Sequence, residues 1–175
     1  VGRVSLTLGL EELPLKDAVR FWGKQGKHVI STEKFKILGV TGGVPKYLEE
    51  INPRETAEQN IQRLCFTTSG PLFNEFDKIF NEIFDRRAAT YQQIVELLAS
   101  GSLSFSDICK KLRVPKNGVT TARLLELESS GFLARDYVYS THGTQTKFSR
   151  YRINDNYLRF YLKYISPQKN RIEKG

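Results

Sequence analysis

Methionine is absent from this chain of 175 residues, tryptophan occurs once, and cysteine and histidine occur twice each. So few cysteines exclude the disulfide framework that holds many small secreted domains together. Cys65 and Cys109 sit within amphipathic helical patterns and read as small buried hydrophobes, which fits a reducing cytoplasm. His28 and His142 stand alone, and no His, Cys, Asp or Glu cluster has the spacing of metal ligands, so no metal site is expected. No apolar run approaches the roughly 20 residues needed to cross a bilayer. No signal-peptide pattern opens the chain. The expectation is a cytoplasmic chain without a membrane span. Because it starts at Val1 and lacks methionine, it is also expected to be a piece of a longer protein, or a processed one.

Catalytic patterns are missing as well. The stretch Gly39-Val40-Thr41-Gly42-Gly43-Val44-Pro45-Lys46 has glycines and a lysine, but a phosphate-binding loop needs Gly, four residues, then Gly-Lys-Ser/Thr after a strand. Here Pro45 precedes Lys46 and Tyr47 follows it. No Ser/His/Asp or Cys/His constellation appears, so no catalytic residues and no cofactor are expected within this chain.

What is present is a sharp asymmetry of charge. Residues 1–101 carry 13 Lys/Arg and 13 Asp/Glu, whereas residues 102–175 carry 14 Lys/Arg against 6 Asp/Glu, so the whole net charge of +8 lies in the second half. A basic surface attracts polyanions and steers their approach, which makes nucleic acid the first partner to consider.

The residue periodicity predicts a mainly α protein with a small β-hairpin. Val4, Leu6, Leu8 and Leu10 alternate as in a short strand. Leu15, Ala18, Val19 and Trp22 mark a helix ending near Gly23. Ser31 or Thr32 is expected to cap a second helix carrying Phe35, Ile37 and Leu38. Gly42-Gly43 then Pro45 read as one helix stop and the next helix start, since Gly accepts the left-handed conformation and Pro gives up an amide that would be orphaned anyway. Arg54-Glu55-Thr56 open a further helix with Ala57, Ile61, Leu64 and Cys65 on one side. Leu72, Phe73, Phe76, Ile79, Phe80, Ile83 and Phe84 form a strong amphipathic stripe, expected to be core between helices.

From Thr90 the spacing becomes that of a winged helix. Tyr91, Ile94, Leu97 and Leu98 give a first helix. Ser104 caps a second, with Ile108, Cys109 and Leu112 inward. Val114 to Gly118 form a turn, and a third helix runs from about Val119 with Leu124 and Leu127 inward. Two strand-like segments follow, 132–139 and 148–153. In a DNA-binding winged helix the third helix enters the major groove. The candidates there are Lys116, Asn117, Thr120, Thr121 and Arg123: Asn can read adenine, Arg can read guanine, and Lys meets phosphate. Lys147, Arg150 and Arg152 of the hairpin would face the backbone. Docking of the same unit on another domain or protein is the alternative, and Glu126 and Glu128 at the far end of the third helix favour it.

Gly2-Arg3, a short strand, Leu13-Pro14-Leu15 and Gly42-Gly43-Val44-Pro45-Lys46-Tyr47-Leu48 together resemble the C-terminal part of the archaeal-type ATPases, P-loop proteins of the AAA/STAND kind. The run from Tyr151 to Tyr161 resembles that family's "Tyr-Arg-Ile-x-Asp-x-x-Leu-Arg-Phe" passage. Asn170 to Gly175 resembles the lead into a C-terminal nuclease-like domain. The resemblance covers nearly the whole chain. It implies the end of an ATPase core over 1–10, a helical lid over 11–88, a winged helix over 89–155, and a C-terminal helix over 156–175 leading to a further domain. The nucleotide-binding core, its ATP and Mg, and the nuclease-like domain would belong to the parent protein. By this resemblance Gly42, Gly43 and Pro45 lie beside the nucleotide and Arg3 senses it. Taken as residues alone, the same Gly and Pro are what a helix–turn–helix junction requires. The function implied is that of an accessory lid and winged helix, without enzymatic activity of its own, whose nucleotide-driven motion repositions the winged helix on duplex DNA.

Overall fold

The computed structural model describes residues 11–142 and 145–174, with the backbone alone for 145–147. The strand expected over Val4–Leu10 lies outside the described residues.

The first turn of helix, α1 (Leu15–Ala18), tightens into a 3-10 segment over Val19–Lys27 that is broken at Gly23, whose φ of +53° suits glycine. Helix α2 (Ser31–Thr41) follows, then α3 (Pro45–Leu48) and α4 (Ala57–Cys65). Neither Ser31 nor Thr32 caps α2: the N-cap is Ile30, which has no side-chain acceptor to offer. Thr56 caps α4 in a reciprocal box. Its hydroxyl accepts from Gln59 N, while Gln59 Oε1 accepts from Thr56 N at 2.9 Å. Trp22 packs with Ile37, Leu38, Leu48, Ile51 and Ala57 into a small core beneath these helices.

Helix α5 (Glu75–Phe84) carries the aromatic stripe. Phe76, Phe80 and Phe84 are buried, and Ile83 alone of the stripe points to solvent. A 3-10 turn over Asp85–Arg87 leads directly into α6 (Ala88–Leu98), and the Phe84 ring stacks on that of Tyr91 with centroids 3.9 Å apart. Beyond α6 come β1 (Leu103–Ser104), α7 (Phe105–Leu112), α8 (Gly118–Ser129), β2 (Leu133–Tyr139) and β3 (Gln145–Ile153). The three strands form an antiparallel sheet in the order β1-β3-β2, with Leu103 opposite Tyr151 and Leu133 opposite Ile153. The sequence predicted only the hairpin. The extra strand, β1, is two residues long and has no periodicity to betray it.

The chain closes with α9 (Asn156–Phe160), which runs through a π turn over Tyr161–Ile165 and one 3-10 turn over Ser166–Gln168 into α10 (Lys169–Lys174). Pro167 has no N–H to donate, and the helix passes it by changing pitch. This last helical stretch packs back on the first half. Tyr157 donates its hydroxyl to Leu72 O at 2.8 Å, Tyr161 stacks on Phe76, and Asn156 Nδ2 donates to Leu38 O.

One buried cluster therefore runs from Val40 to Ile165, through α4, α5, α6, α8, the sheet and α9. The boundary expected between residues 88 and 89 lies inside it: Phe80 touches Phe132 as well as Phe76 and Phe84. Cys65 and Cys109 are free and buried, as small apolar residues, and burial pushes the Cys65 thiol up to about 12. No helix among the described residues is long and apolar enough to cross a membrane.

Candidate nucleic-acid interface

The turn between α7 and α8 is built by its polar side chains. Ser104 caps α7, its Oγ accepting from Asp107 N at 3.1 Å. Arg113 ends the helix in the left-handed region, with φ of +56°. Asn117 caps α8: its Oδ1 accepts from Thr120 N at 3.0 Å. Thr120 donates its own hydroxyl to Pro115 O at 2.9 Å and is almost fully buried. Thr121 is exposed, and its hydroxyl returns to Asn117 O at 3.1 Å.

These bonds correct part of the expected interface. Thr120 faces the interior rather than a groove. Asn117 stands at the surface, but its carbonyl oxygen is spent on the helix cap, whereas reading adenine takes both ends of the amide. Thr121 also bonds to its own turn. Lys116 is exposed, and Arg123 lies half-buried on α8, where its charge acts on Tyr91 and Glu126.

On the hairpin the arginines are held by the protein. Arg150 donates from Nε to Ser102 Oγ at 3.0 Å and from Nη2 to Ser102 O, which ties β3 to the segment before β1. Arg152 pairs with Asp136 at 3.0 Å across the two strands. The side chain of Lys147 lies outside the described residues.

The cations that sequence reasoning passed over are Lys110, Lys111 and Arg113. They are exposed at the end of α7, beside Lys116, and their signal was a Lys-Lys-x-Arg-x-x-Lys run over 110–116. Lys111 and Arg150 both help to hold the Asp107 carboxyl below its ordinary range, behind the larger effect of the Ser104 hydroxyl bond. The basic turn thus adjoins the foot of the hairpin. The outward positions of α8, in contrast, are largely apolar or neutral: Val119, Ala122, Leu125 and Ser129 are exposed. At its far end Tyr91 donates its buried hydroxyl to Glu126, which Arg87 also meets at 3.2 Å.

The glycine turn sits elsewhere. Gly42 ends α2 with φ of +60°, and Pro45 opens α3 at an exposed position. Gly42 and Gly43 are buried under residues 12 and 13. Gly43 N donates to Glu12 Oε2 at 2.8 Å, and Leu13 N donates to Gly43 O at 2.9 Å. Arg3 lies outside the described residues. Among the described residues, no group of three His, Cys, Asp or Glu side chains is placed to hold a metal ion.

The structure is thus that of a mainly helical protein with a small antiparallel sheet. The chain is similar to the uncharacterized protein MJECL04 of Methanocaldococcus jannaschii, 29% identical over 99% of this chain. It spans 38% of that relative's length. No family model and no solved structure matches it.

Proposed function

We propose that residues 89–155 act as a winged helix that grips duplex DNA by its phosphates, and that the helices before it are the lid of an ATP-driven parent protein. The order helix, strand, helix, helix, strand, strand supports the first part. The observation that carries most weight is the exposed basic turn, where Lys110, Lys111, Arg113 and Lys116 fall within seven residues without an acid among them. Such a cluster meets a polyanion through phosphate charge, which positions a protein on DNA without reading sequence.

Base reading is a small part of this proposal. Asn117 and Thr120 are occupied by the turn, and α8 turns Val119, Ala122 and Leu125 outward. The ATPase part rests on the resemblance of the Gly42–Leu48 and Tyr151–Tyr161 segments. ATP, Mg and hydrolysis belong in this reading to segments outside residues 1–175.

The second reading is a docking module, in which the apolar face of α8 meets another domain or protein. Exposed Val119 and Leu125 favour it. Titrating labelled duplex DNA at two salt concentrations separates the two. DNA binding should weaken with salt at a log–log slope near 0.9 per phosphate contact. Absence of binding at low salt sinks the DNA reading and leaves docking.

A further inference from the structure

The hairpin exposes aromatic rings where a phosphate clamp would need none. Among the described residues, strand β2 is an edge of the sheet, paired with β3. Tyr137, Tyr139 and Phe148 are exposed by 41%, 61% and 74%, so three of this half's exposed rings share one hairpin, with Tyr164, at 44%, on the C-terminal helix. Burial of apolar surface drives folding, and aromatic rings exposed together on one hairpin mark a contact surface.

Its chemistry is specific. Arg135 and Tyr137 stand two residues apart, on one face of the strand. The Arg135 guanidinium lies over both the Tyr137 ring, at 4.9 Å, and the Tyr151 ring, at 5.5 Å, and donates to Ser149 Oγ at 2.9 Å. Buried Tyr151, Arg135 and Tyr137 make a fixed row rooted in the core, and the strand carries on to the open ring of Tyr139. Between Tyr137 and Tyr139 the strand register shifts, so β3 spends extra residues opposite Val138. A bulge of this kind re-aims side chains, and Phe148 lies in it.

Charge selects the occupant. Residues 133–153 hold four Lys/Arg and one acid, Asp136, which Arg152 already neutralises. A second copy of the chain would bring the same positive charge to the contact, which disfavours self-association through this edge. An unpaired nucleic-acid strand brings the opposite charge to this net-positive hairpin and flat π faces to its exposed tyrosines. Base–aromatic stacking is tolerant of sequence, in keeping with a turn that does not read bases.

We infer that the Tyr137–Tyr139 row is a stacking platform for unpaired bases, so that the preferred substrate is DNA at a junction of duplex and single strand. This rests on the proposed DNA reading: the basic turn holds the paired part, and the hairpin takes the bases beyond it.

The test compares a blunt duplex with the same duplex carrying unpaired tails, by fluorescence anisotropy at low salt. Forked DNA should bind about tenfold more tightly. The double substitution Tyr137→Ala/Tyr139→Ala should erase that preference and leave blunt-duplex binding within about twofold, while Tyr137→Phe/Tyr139→Phe, which keeps the rings, should retain it. Equal binding of the two DNAs overturns the platform and leaves the duplex reading standing. So does an alanine variant that loses forked and blunt DNA alike, since the tyrosines would then serve the hairpin's structure. If neither DNA binds the native chain, both readings fall.

Discussion

The Glu12 carboxylate accepts the backbone N–H of Gly43 at 2.8 Å, and the Leu13 backbone lies so close that a Cβ on Gly43 would collide with its carbonyl. Residues 12 and 13 thus form a strap over the turn between α2 and α3. The strap occupies the Gly43 amide. Gly43→Ala should lower stability by about 2–4 kcal/mol in chemical denaturation, because the obstacle is backbone that cannot step aside. Glu12→Gln keeps an acceptor and should cost less than about 1 kcal/mol. Equal, small losses for both would show that the strap is not packed as described.

Asp155 sits beside that strap. It caps α9, accepting from Leu158 N at 2.7 Å, yet burial pushes its carboxyl up to about 6, and the Glu12 carboxylate adds to the rise. A carboxyl whose folded pKa exceeds its unfolded value holds its proton longer in the fold. Stability from this group is therefore full below about 4 and falls as the pH climbs through about 6. The loss at neutral pH is at most about 3 kcal/mol. Asp155→Asn keeps a capping oxygen and carries no charge. It should match the native protein at pH 4 and be the more stable of the two at pH 7, as thermal melts across that range would show. A variant less stable than the native protein at pH 7 would mean that the charge serves the cap.

Phe80 ties the first half to the second, since its ring touches Phe76 and Phe84 on its own helix and Phe132 ahead of β2. Phe80→Ala should cost about 3–5 kcal/mol. Because the cluster is continuous from Val40 to Ile165, helical circular dichroism and tyrosine fluorescence should still report one transition. Two separated transitions in the native chain would mean that the halves fold apart.

The aromatic stripe of α5, the helices over 88–129 and the two hairpin strands were legible because periodicity reports which face is buried. Strand β1 was not, since two residues carry no period. The strap was hidden because Glu12 bonds to a residue 31 positions away through a backbone amide. At the candidate interface Lys116 and Thr121 are exposed, whereas Thr120, expected at the groove with them, is buried. A threonine three residues after an asparagine cap can turn inward to bond the preceding turn, and residue type alone does not reveal which way it faces. The Lys-Lys-x-Arg run is plain in the sequence, but it lies at the end of α7, before the helix that a winged helix places in the groove.

That contrast between α8 and its preceding turn is open to direct measurement. Asn117→Ser preserves a capping oxygen but has no amide with which to read adenine. Stability should stay within about 0.5 kcal/mol of native and DNA affinity within about twofold, because the side chain works on Thr120 N rather than on a base. Asn117→Ala removes the cap and should cost about 1 kcal/mol. Lys111→Ala/Lys116→Ala, on exposed positions, should leave the melting temperature unchanged while lowering the salt slope of DNA binding by about 2, one contact for each lysine removed. A loss of affinity in Asn117→Ser with an unchanged slope in the lysine variant would reverse the assignment, returning base reading to α8 and removing the phosphate clamp from the turn.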